Sequence, residues 1–453
     1  MTIIPKSEFA RRRTELLAKM GVGSIAIVPA AALAYRNNDV GHPYRQDSNF
    51  QYLTGFPEPE AVAVLIPGRA EGEYVLFCRD RDPKVELWDG ARAGQDGAVG
   101  EYEVQTALSI LAIDTLLPDL MDGCDRVYYG LGVDPGLDGR VLGWINAVRA
   151  KARQGARPPS QILDIRGMLS EMRRIKSKAE VAVMREASRL SAQAHVKAME
   201  SVRPGLYEYH LDAELRYAFS TGGARHAAYG SIVGSGANAC VLHYVDNDQR
   251  IGDGDLVLID AACELDCYAS DITRTFPANG KFSAPQRAVY QVVLDAQLAA
   301  IAQIKPGNHW NDVHDAAVRS LTTGLVALGL LQGDVDALIE DGTYKDFYMH
   351  TTGHWLGLDV HDVGNYKVQG AWCALEPGMV FTVEPGLYIA SENLNVDATW
   401  RGIGVRIEDV VVVTQTGVEV LTASVPKEVD EIEALIQRAQ AAAYRQHREV
   451  SVP

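Results

Sequence analysis

The spacing of apolar residues divides the chain into two regions of different character. Across roughly the first 165 positions the apolar runs are short, as in Ser24–Val28, Ala61–Ile66 and Tyr74–Phe77, and Pro, Gly or charged residues border them. Those are the lengths and borders of β-strands. The opening segment, MTIIPKSEFARRRTELLAKM, predicts an amphipathic helix. It lacks the apolar centre of a secretory leader, and nowhere does the chain hold the run of about 18 apolar residues that a membrane span takes. A charged stretch with Gly and Pro, Lys151–Ser160, predicts a linker. Beyond it the period changes. Ser177 and Glu180 have capping-box spacing, and Val183, Ala187, Leu190 and Ala194 keep one helical face apolar until Pro204-Gly205 stops the helix. Residues 441–453 form a polar tail, expected to be loose.

The second region repeats itself weakly. Val202-Arg203-Pro204-Gly205 returns as Ile304-Lys305-Pro306-Gly307, and each opens a helical pattern that ends near Gly222 or Gly324. GDLVLID (Gly254–Asp260) and GMVFTVE (Gly378–Glu384) share a plan of glycine, apolar strand and terminal carboxylate. Together these matches point to a duplicated α/β unit facing itself across a site.

Length and charge narrow the function. At 453 residues and 47% hydrophobic composition the chain is long enough for two domains with real cores. Forty-three Lys plus Arg stand against 59 Asp plus Glu, a net charge of −16. That balance argues against nucleic-acid binding, which needs a basic surface, and against a polybasic membrane anchor. The six cysteines are sparse and form no CxxC pair; Cys263 and Cys267 have no second pair to complete a zinc site. Reduced thiols in a cytoplasmic protein are expected. Most of the acidity is ordinary solubility, and the question is whether some carboxylates hold cations.

Several carboxylates end strands too apolar to lie on a surface. Leu256–Ile259 ends in Asp260, and the chain turns and returns near Asp271. A turn centred on Leu265 and Asp266 would set Asp260 opposite Asp271, with Cβ atoms about 4.5–5.5 Å apart. Buried, such a pair needs a cation or a shared proton; a wet hairpin edge with two solvated aspartates would account for that pair equally well. Val380–Val383 repeats the pattern, ending in Glu384, and GVRIE sets Arg406 and Glu408 on one strand face. Between them lies HTTGHWLGLDVHD, with His350, His354 and His361. His350 and His354 have the spacing of a helical zinc pair, but the glutamate of HExxH is missing and the glycines disfavour a helix. One histidine with four carboxylates is the better ligand set. Two divalent ions would neutralise Asp260, Asp271, Glu384 and Glu408, and oxygen ligands with one imidazole favour Mn²⁺ over Co²⁺ or Zn²⁺. Two ions about 3.5–4 Å apart that share a water suit hydrolysis.

With these residues in view the chain resembles the aminopeptidase P and prolidase branch of the pita-bread metallopeptidases, the family that includes methionine aminopeptidase. The resemblance runs from Pro43-Tyr44-Arg45-Gln46 and Tyr52–Phe56 to Leu421–Ser424, and its most specific pieces are LHY (Leu242–Tyr244), LIDAACELDCYASDITRTFP, GHWLGLDVHDVG, TVEPGLY and GIGVRIED. In order and spacing it is closest to the aminopeptidase P type. It implies an α/β (α+β) fold class: a creatinase-like N-terminal α/β domain over 1–165, and a pita-bread catalytic domain with an internal pseudo-twofold repeat over 166–440. It further implies that Asp260, Asp271, His354, Glu384 and Glu408 bind two metal ions, with Asp271 and Glu408 bridging them. A metal-bridging hydroxide would attack, and Glu384 would relay its proton to the leaving proline nitrogen. His243 and His361 match residues that hold substrate and stabilise the oxyanion. His350 matches a further active-site histidine, and Tyr388 and Arg406 a hydrogen-bonding relay around Asp260.

The resemblance also implies a homo-oligomer, dimer or tetramer, in which the N-terminal domain lines a neighbour's site; Trp88, Asp39 and Arg153 are the candidate contributions. The implied activity is release of an N-terminal residue from peptides with proline second. A prolidase confined to dipeptides is the alternative; a metal-free creatinase-like hydrolase and a non-catalytic binding module are disfavoured by the intact carboxylate set. Two positions depart from the family pattern: Ala237, where Glu is frequent, and Gly353, where Ser is common. Both bear on substrate fit and loop geometry rather than on the metal ligands. The match of Gly234, Gly236 and Ala239 to G-x-G-x-x-A predicts a tight turn, because no nucleotide-binding context follows it.

Overall fold

The computed structural model describes residues 4–450, and their contacts divide into two compact units, Ile4–Arg173 and the chain from Arg174 onward. In the first, the three expected strands form as Ser24–Pro29, Val62–Leu65 and Tyr74–Cys78, joined by antiparallel pairing. Thr106–Ser109, Arg126–Tyr129 and Gln161–Asp164 extend this to a six-stranded sheet through parallel pairs. Helices Ile113–Met121 and Pro135–Ala150 lay Leu117, Met121, Val141 and Trp144 onto Ile25, Ile27, Val64 and Phe77. The stretch Lys151–Ser160 connects helix Pro135–Ala150 to edge strand Gln161–Asp164 inside this unit, and helix Arg166–Arg174 carries the chain across the boundary. Four residues with polar ends were too short a pattern to show that strand in the sequence.

In the second unit, helix Lys178–Ser201 starts on the expected capping box of Ser177 and Glu180 and packs on helix Glu208–Thr221. Helices Ala284–Ala302 and Trp310–Ala327 repeat the arrangement, and the box recurs at Ser283 and Gln286. Each helix pair precedes an antiparallel strand pair: Leu256–Asp260 with Thr273–Pro277, and Val380–Val383 with Asp409–Val413. An isolated bridge between Thr273 and Glu408 ties the two strand pairs together. Helix Val429–Val450 includes 441–450 of the expected tail; residues 451–453 lie outside the described residues. No helix among the described residues is long and apolar enough to cross a membrane.

Candidate metal centre

The four carboxylates sit where these strand pairs meet. Asp260 closes strand Leu256–Asp260 and Asp271 stands two residues before Thr273, while Glu384 follows Val383 and Glu408 precedes Asp409. The hairpin between the first two is shifted by one residue from expectation. Its turn is Asp266-Cys267, both with positive φ (50° and 66°), and Leu265 pairs with Tyr268. Asp260 therefore faces Thr273 rather than Asp271. Two consecutive residues with positive φ make the turn type that matches strand twist, a preference that neither an aspartate nor a cysteine announces strongly.

Arg406 and Glu408 do not lie on one continuous strand: Ile403–Arg406 and Asp409–Val413 are separate, with Ile407-Glu408 between them. Both side chains nevertheless converge on Thr273, whose hydroxyl donates to Glu408 Oε2 (2.7 Å) and accepts from Arg406 Nε (3.1 Å). Arg406 also donates to Asp260 Oδ2 at 2.7 Å and to the Tyr388 hydroxyl at 3.1 Å. His350 donates from Nδ1 to the Thr351 carbonyl (2.8 Å), so its Nε2 accepts from Tyr388 (2.9 Å). Asp260, Arg406, Tyr388 and His350 thus form one chain of hydrogen bonds.

His354 is held for ligation. Its Nδ1 donates to the Trp355 carbonyl at 3.0 Å, which turns Nε2 toward the carboxylates, 3.5 Å from Asp271 and 3.8 Å from Glu384. Ligand atoms of Asp271, His354 and Glu408 all lie within 4.8 Å of one another. The segment around His354 is not helical; it runs beside strand Val380–Val383, with Thr382 N–H donating to the His354 carbonyl and Glu384 N–H to the Thr352 carbonyl. Gly353 permits that approach, since a Cβ there would stand 1.9 Å from the Thr382 carbonyl oxygen.

Electrostatics test whether cations fit. Burial, then the neighbouring carboxylates Asp271, Glu384 and Asp260, push Glu408 well above the usual carboxylate range. Burial lifts Glu384 to about 7 against the pull of His354 and Arg406. His354 goes the other way: burial disfavours its charge, yet Asp271 and Glu384 raise it to about 9. The protein by itself is short of positive charge at this point. Oxygen donors with one correctly oriented imidazole nitrogen fit divalent ions, and Asp260, Asp271, His354, Glu384 and Glu408 are the residues that would hold them.

All five border a cavity of about 1060 Å³ lined wholly by the second unit. His243 and His361 line it too, each solvent-exposed on irregular chain, and the His361 ring stacks edge-on 4.2 Å from that of His354. Trp88, Asp39 and Arg153 belong to the first unit and line no part of it. All three are exposed, Trp88 to 85%. Ala237 sits exposed in the short helix Gly236–Cys240 and does not line the cavity; Gly236, at φ 54°, makes the expected tight turn.

Two residues escaped the sequence reading. The hydroxyl of the half-buried Tyr229 lies 2.7 Å from Asp260 Oδ1 and 2.5 Å from Asp271 Oδ1, and desolvation with those charges holds its proton on. It precedes strand Ile232–Ser235, whose pairing with Leu256–Asp260 no local pattern reveals. Glu208, fully buried, accepts from Ser235 N and Oγ, Asn238, Tyr244 and Gln249 N, and so holds both ends of the segment carrying His243. A glutamate at the start of a helix reads as dipole compensation, which masks that second use.

Comparison with known proteins gives a consistent result. Residues 182–415 match metallopeptidase family M24, and residues 9–128 match the aminopeptidase P N-terminal domain. The chain is 48% identical to the Xaa-Pro aminopeptidase of Escherichia coli K12, over 97% of this chain and 99% of that one. Aminopeptidase PepP of Pseudomonas aeruginosa has a structure that superposes with a TM-score of 0.97 at 63% identity, covering 97% of this chain and all of the other. The zinc-substituted E. coli aminopeptidase P with bound product gives 0.94 at 48% identity, over 96% and 99% of the two chains.

Proposed function

The chain belongs to metallopeptidase family M24, with an aminopeptidase P N-terminal domain ahead of the pita-bread catalytic one, and from that premise we propose an Xaa-Pro aminopeptidase. It hydrolyses peptides with proline in second position and releases the N-terminal residue, in a metal-dependent reaction. The observation that carries this is the cluster of Asp271, His354 and Glu408 at the floor of a large cavity, in a chain that matches such enzymes along nearly its whole length. That match favours an aminopeptidase over a prolidase confined to dipeptides.

Proline makes a dedicated site necessary, because its imide nitrogen has no N–H to grip and its ring fixes φ. When bound, two divalent ions, of which Mn²⁺ suits the oxygen-rich set best, supply Lewis acidity and lower the pKa of water. The protein's own groups do the rest. Asp260, Asp271, His354, Glu384 and Glu408 hold the ions. Glu384 carries a proton at its carboxylate from water to the proline nitrogen as the bond breaks. His243 and His361, facing the cavity, hold the substrate and stabilise negative charge developing on the carbonyl oxygen. The chain through Arg406, Tyr388 and His350 fixes Asp260 in place.

The N-terminal domain, expected over 1–165, serves assembly. Leu87 and Trp88 stand exposed to 82% and 85% on helix Pro83–Asp89, apolar area that a second copy of the chain would cover. In a dimer or tetramer Trp88, Asp39 and Arg153 would serve a partner's site. Six cysteines, sparse in a chain of this length, agree with a cytoplasmic protein.

The test is a length series of Xaa-Pro peptides assayed with and without Mn²⁺, alongside Asp271→Asn. Metal-stimulated cleavage of tripeptides and longer chains, lost together with bound metal in the variant, is the expected result. Activity on dipeptides alone, or full activity in Asp271→Asn, would overturn it.

A further inference from the structure

A small hairpin at the edge of the cavity carries a cation that the hydrolytic chemistry does not use. Strands Lys367–Val368 and Ala371–Trp372 pair in register around Gln369-Gly370, both with positive φ (52° and 85°), the two-residue turn that keeps a hairpin tight. Its base is anchored. Cys373 N–H donates to the Tyr366 carbonyl at 3.0 Å, and Tyr366 packs against Trp310 and Trp355 inside an aromatic cluster completed by Phe381. The hairpin is therefore a short arm on a rigid mount.

Lys367 and Trp372 face each other across this arm and both line the cavity. The Lys367 ammonium lies over the Trp372 ring, 4.1 Å from its centroid, an arrangement that restrains a side chain otherwise rich in rotamers. Two cationic side chains, Lys367 and Arg406, line the cavity. Arg406 is buried and committed to Asp260. Lys367 is exposed and has no carboxylate partner among the described residues. The carboxylates of the cavity gather at the metal-binding floor, so Lys367 is the cationic side chain in its lining that no carboxylate claims.

We infer that Lys367, restrained over Trp372, binds the free C-terminal carboxylate of short peptide substrates and makes the enzyme prefer peptides that end within the cavity. The subsite rests on the peptidase reading above and adds a determinant of peptide length to it. The substrate's amino end lies at the carboxylate-rich floor, and its carboxyl end, if the chain is short, meets the ammonium at the rim. A long peptide or an amidated one presents no charge there. An exposed pair of this kind is worth about fivefold in affinity and is screened by salt.

The experiment compares Xaa-Pro peptides of three to six residues, each as free acid and as C-terminal amide, on the metal-loaded enzyme. The expected result is a kcat/KM ratio of acid to amide of about fivefold at one length, carried by KM and diminished at high salt. Lys367→Met, which keeps an unbranched apolar side chain over Trp372, should bring the ratio to about one, and Lys367→Arg should restore it. A ratio that is the same in wild type and Lys367→Met at every length would overturn the subsite while leaving the peptidase reading intact. Failure of the wild type to cleave any of these peptides would overturn both.

Discussion

Arg406 and Asp260 are joined by a 2.7 Å hydrogen bond in which Nη2 donates to Oδ2, and the guanidinium that makes it is also bound to Thr273 and Tyr388. The arginine therefore orients Asp260 and, through Thr273, Glu408 as well. Arg406→Met removes all three bonds at little cost in volume. Metal affinity should fall about 10–100-fold, as is usual when the group orienting a ligand is lost. Titration calorimetry with Mn²⁺ measures this directly, and wild-type affinity in the variant would contradict the role given to Arg406.

Glu208 supports a different part of the cavity. Glu208→Gln puts an amide NH₂ where a carboxylate oxygen accepted from backbone and side-chain donors, leaving at least one buried donor unpaired at about 1–3 kcal/mol. The segment carrying His243 should loosen, lowering kcat/KM while metal affinity stays near wild type. A double-mutant cycle with His243→Ala separates positioning from general damage. If Glu208 acts through His243 the two effects are strongly non-additive; simple addition would rule that out.

Gly353→Ser restores a residue common in the family and is nevertheless expected to be damaging here. Its Cβ would meet the Thr382 carbonyl at 1.9 Å, and that oxygen belongs to a buried strand with little freedom to move. His354, the next residue, has to shift. Weaker metal binding and a lower melting temperature are expected together, and an unchanged melting curve would show that the loop adapts without cost.

His195, which lines no part of the cavity, makes stability depend on pH. It is fully buried, its Nε2 donates to the Ala261 carbonyl at 2.8 Å, and its Nδ1 has no partner among the described residues. Burial holds its pKa down to about 4, against about 6.5 in an unfolded chain. The unfolded state thus takes up the proton first. This contribution to stability is complete above pH 6.5, declines as the pH falls, and is gone below pH 4, a difference of about 3 kcal/mol. Urea unfolding across that range should show the slope in wild type and a shallower one in His195→Gln; equal slopes would refute it.

What the sequence revealed of this site, and what it hid, follows from where each residue's reason lies. Asp260 and Glu384 stood out because a carboxylate at the end of an apolar strand violates a local rule, and the violation is visible within seven residues. Tyr229 and Glu208 break no such rule: a tyrosine before a strand and a glutamate opening a helix are ordinary, and only the pairing of Ile232–Ser235 with Leu256–Asp260 and the return of the chain at Ser235–Gln249 give them partners. The hairpin register was missed for a related reason, since Asp266 and Cys267 adopt positive φ under tertiary constraint rather than by preference. The connection at Lys151–Ser160 shows the same limit at larger scale. Its composition marks a loop, but only the parallel pairing of Gln161–Asp164 with Arg126–Tyr129 decides which domain owns it.

The tie between Thr273 and Glu408 has a consequence for how the protein folds. Each strand pair brings two carboxylates to the same point, so closing the halves upon each other is opposed by the charges it gathers. Without cations the last step of assembly runs uphill electrostatically, and with them it is drawn forward, because the ions bind only where both halves are in place. The metal would then act as a ligand of the folded state, and its availability would set how much of the chain in a cell is assembled as well as how much is active.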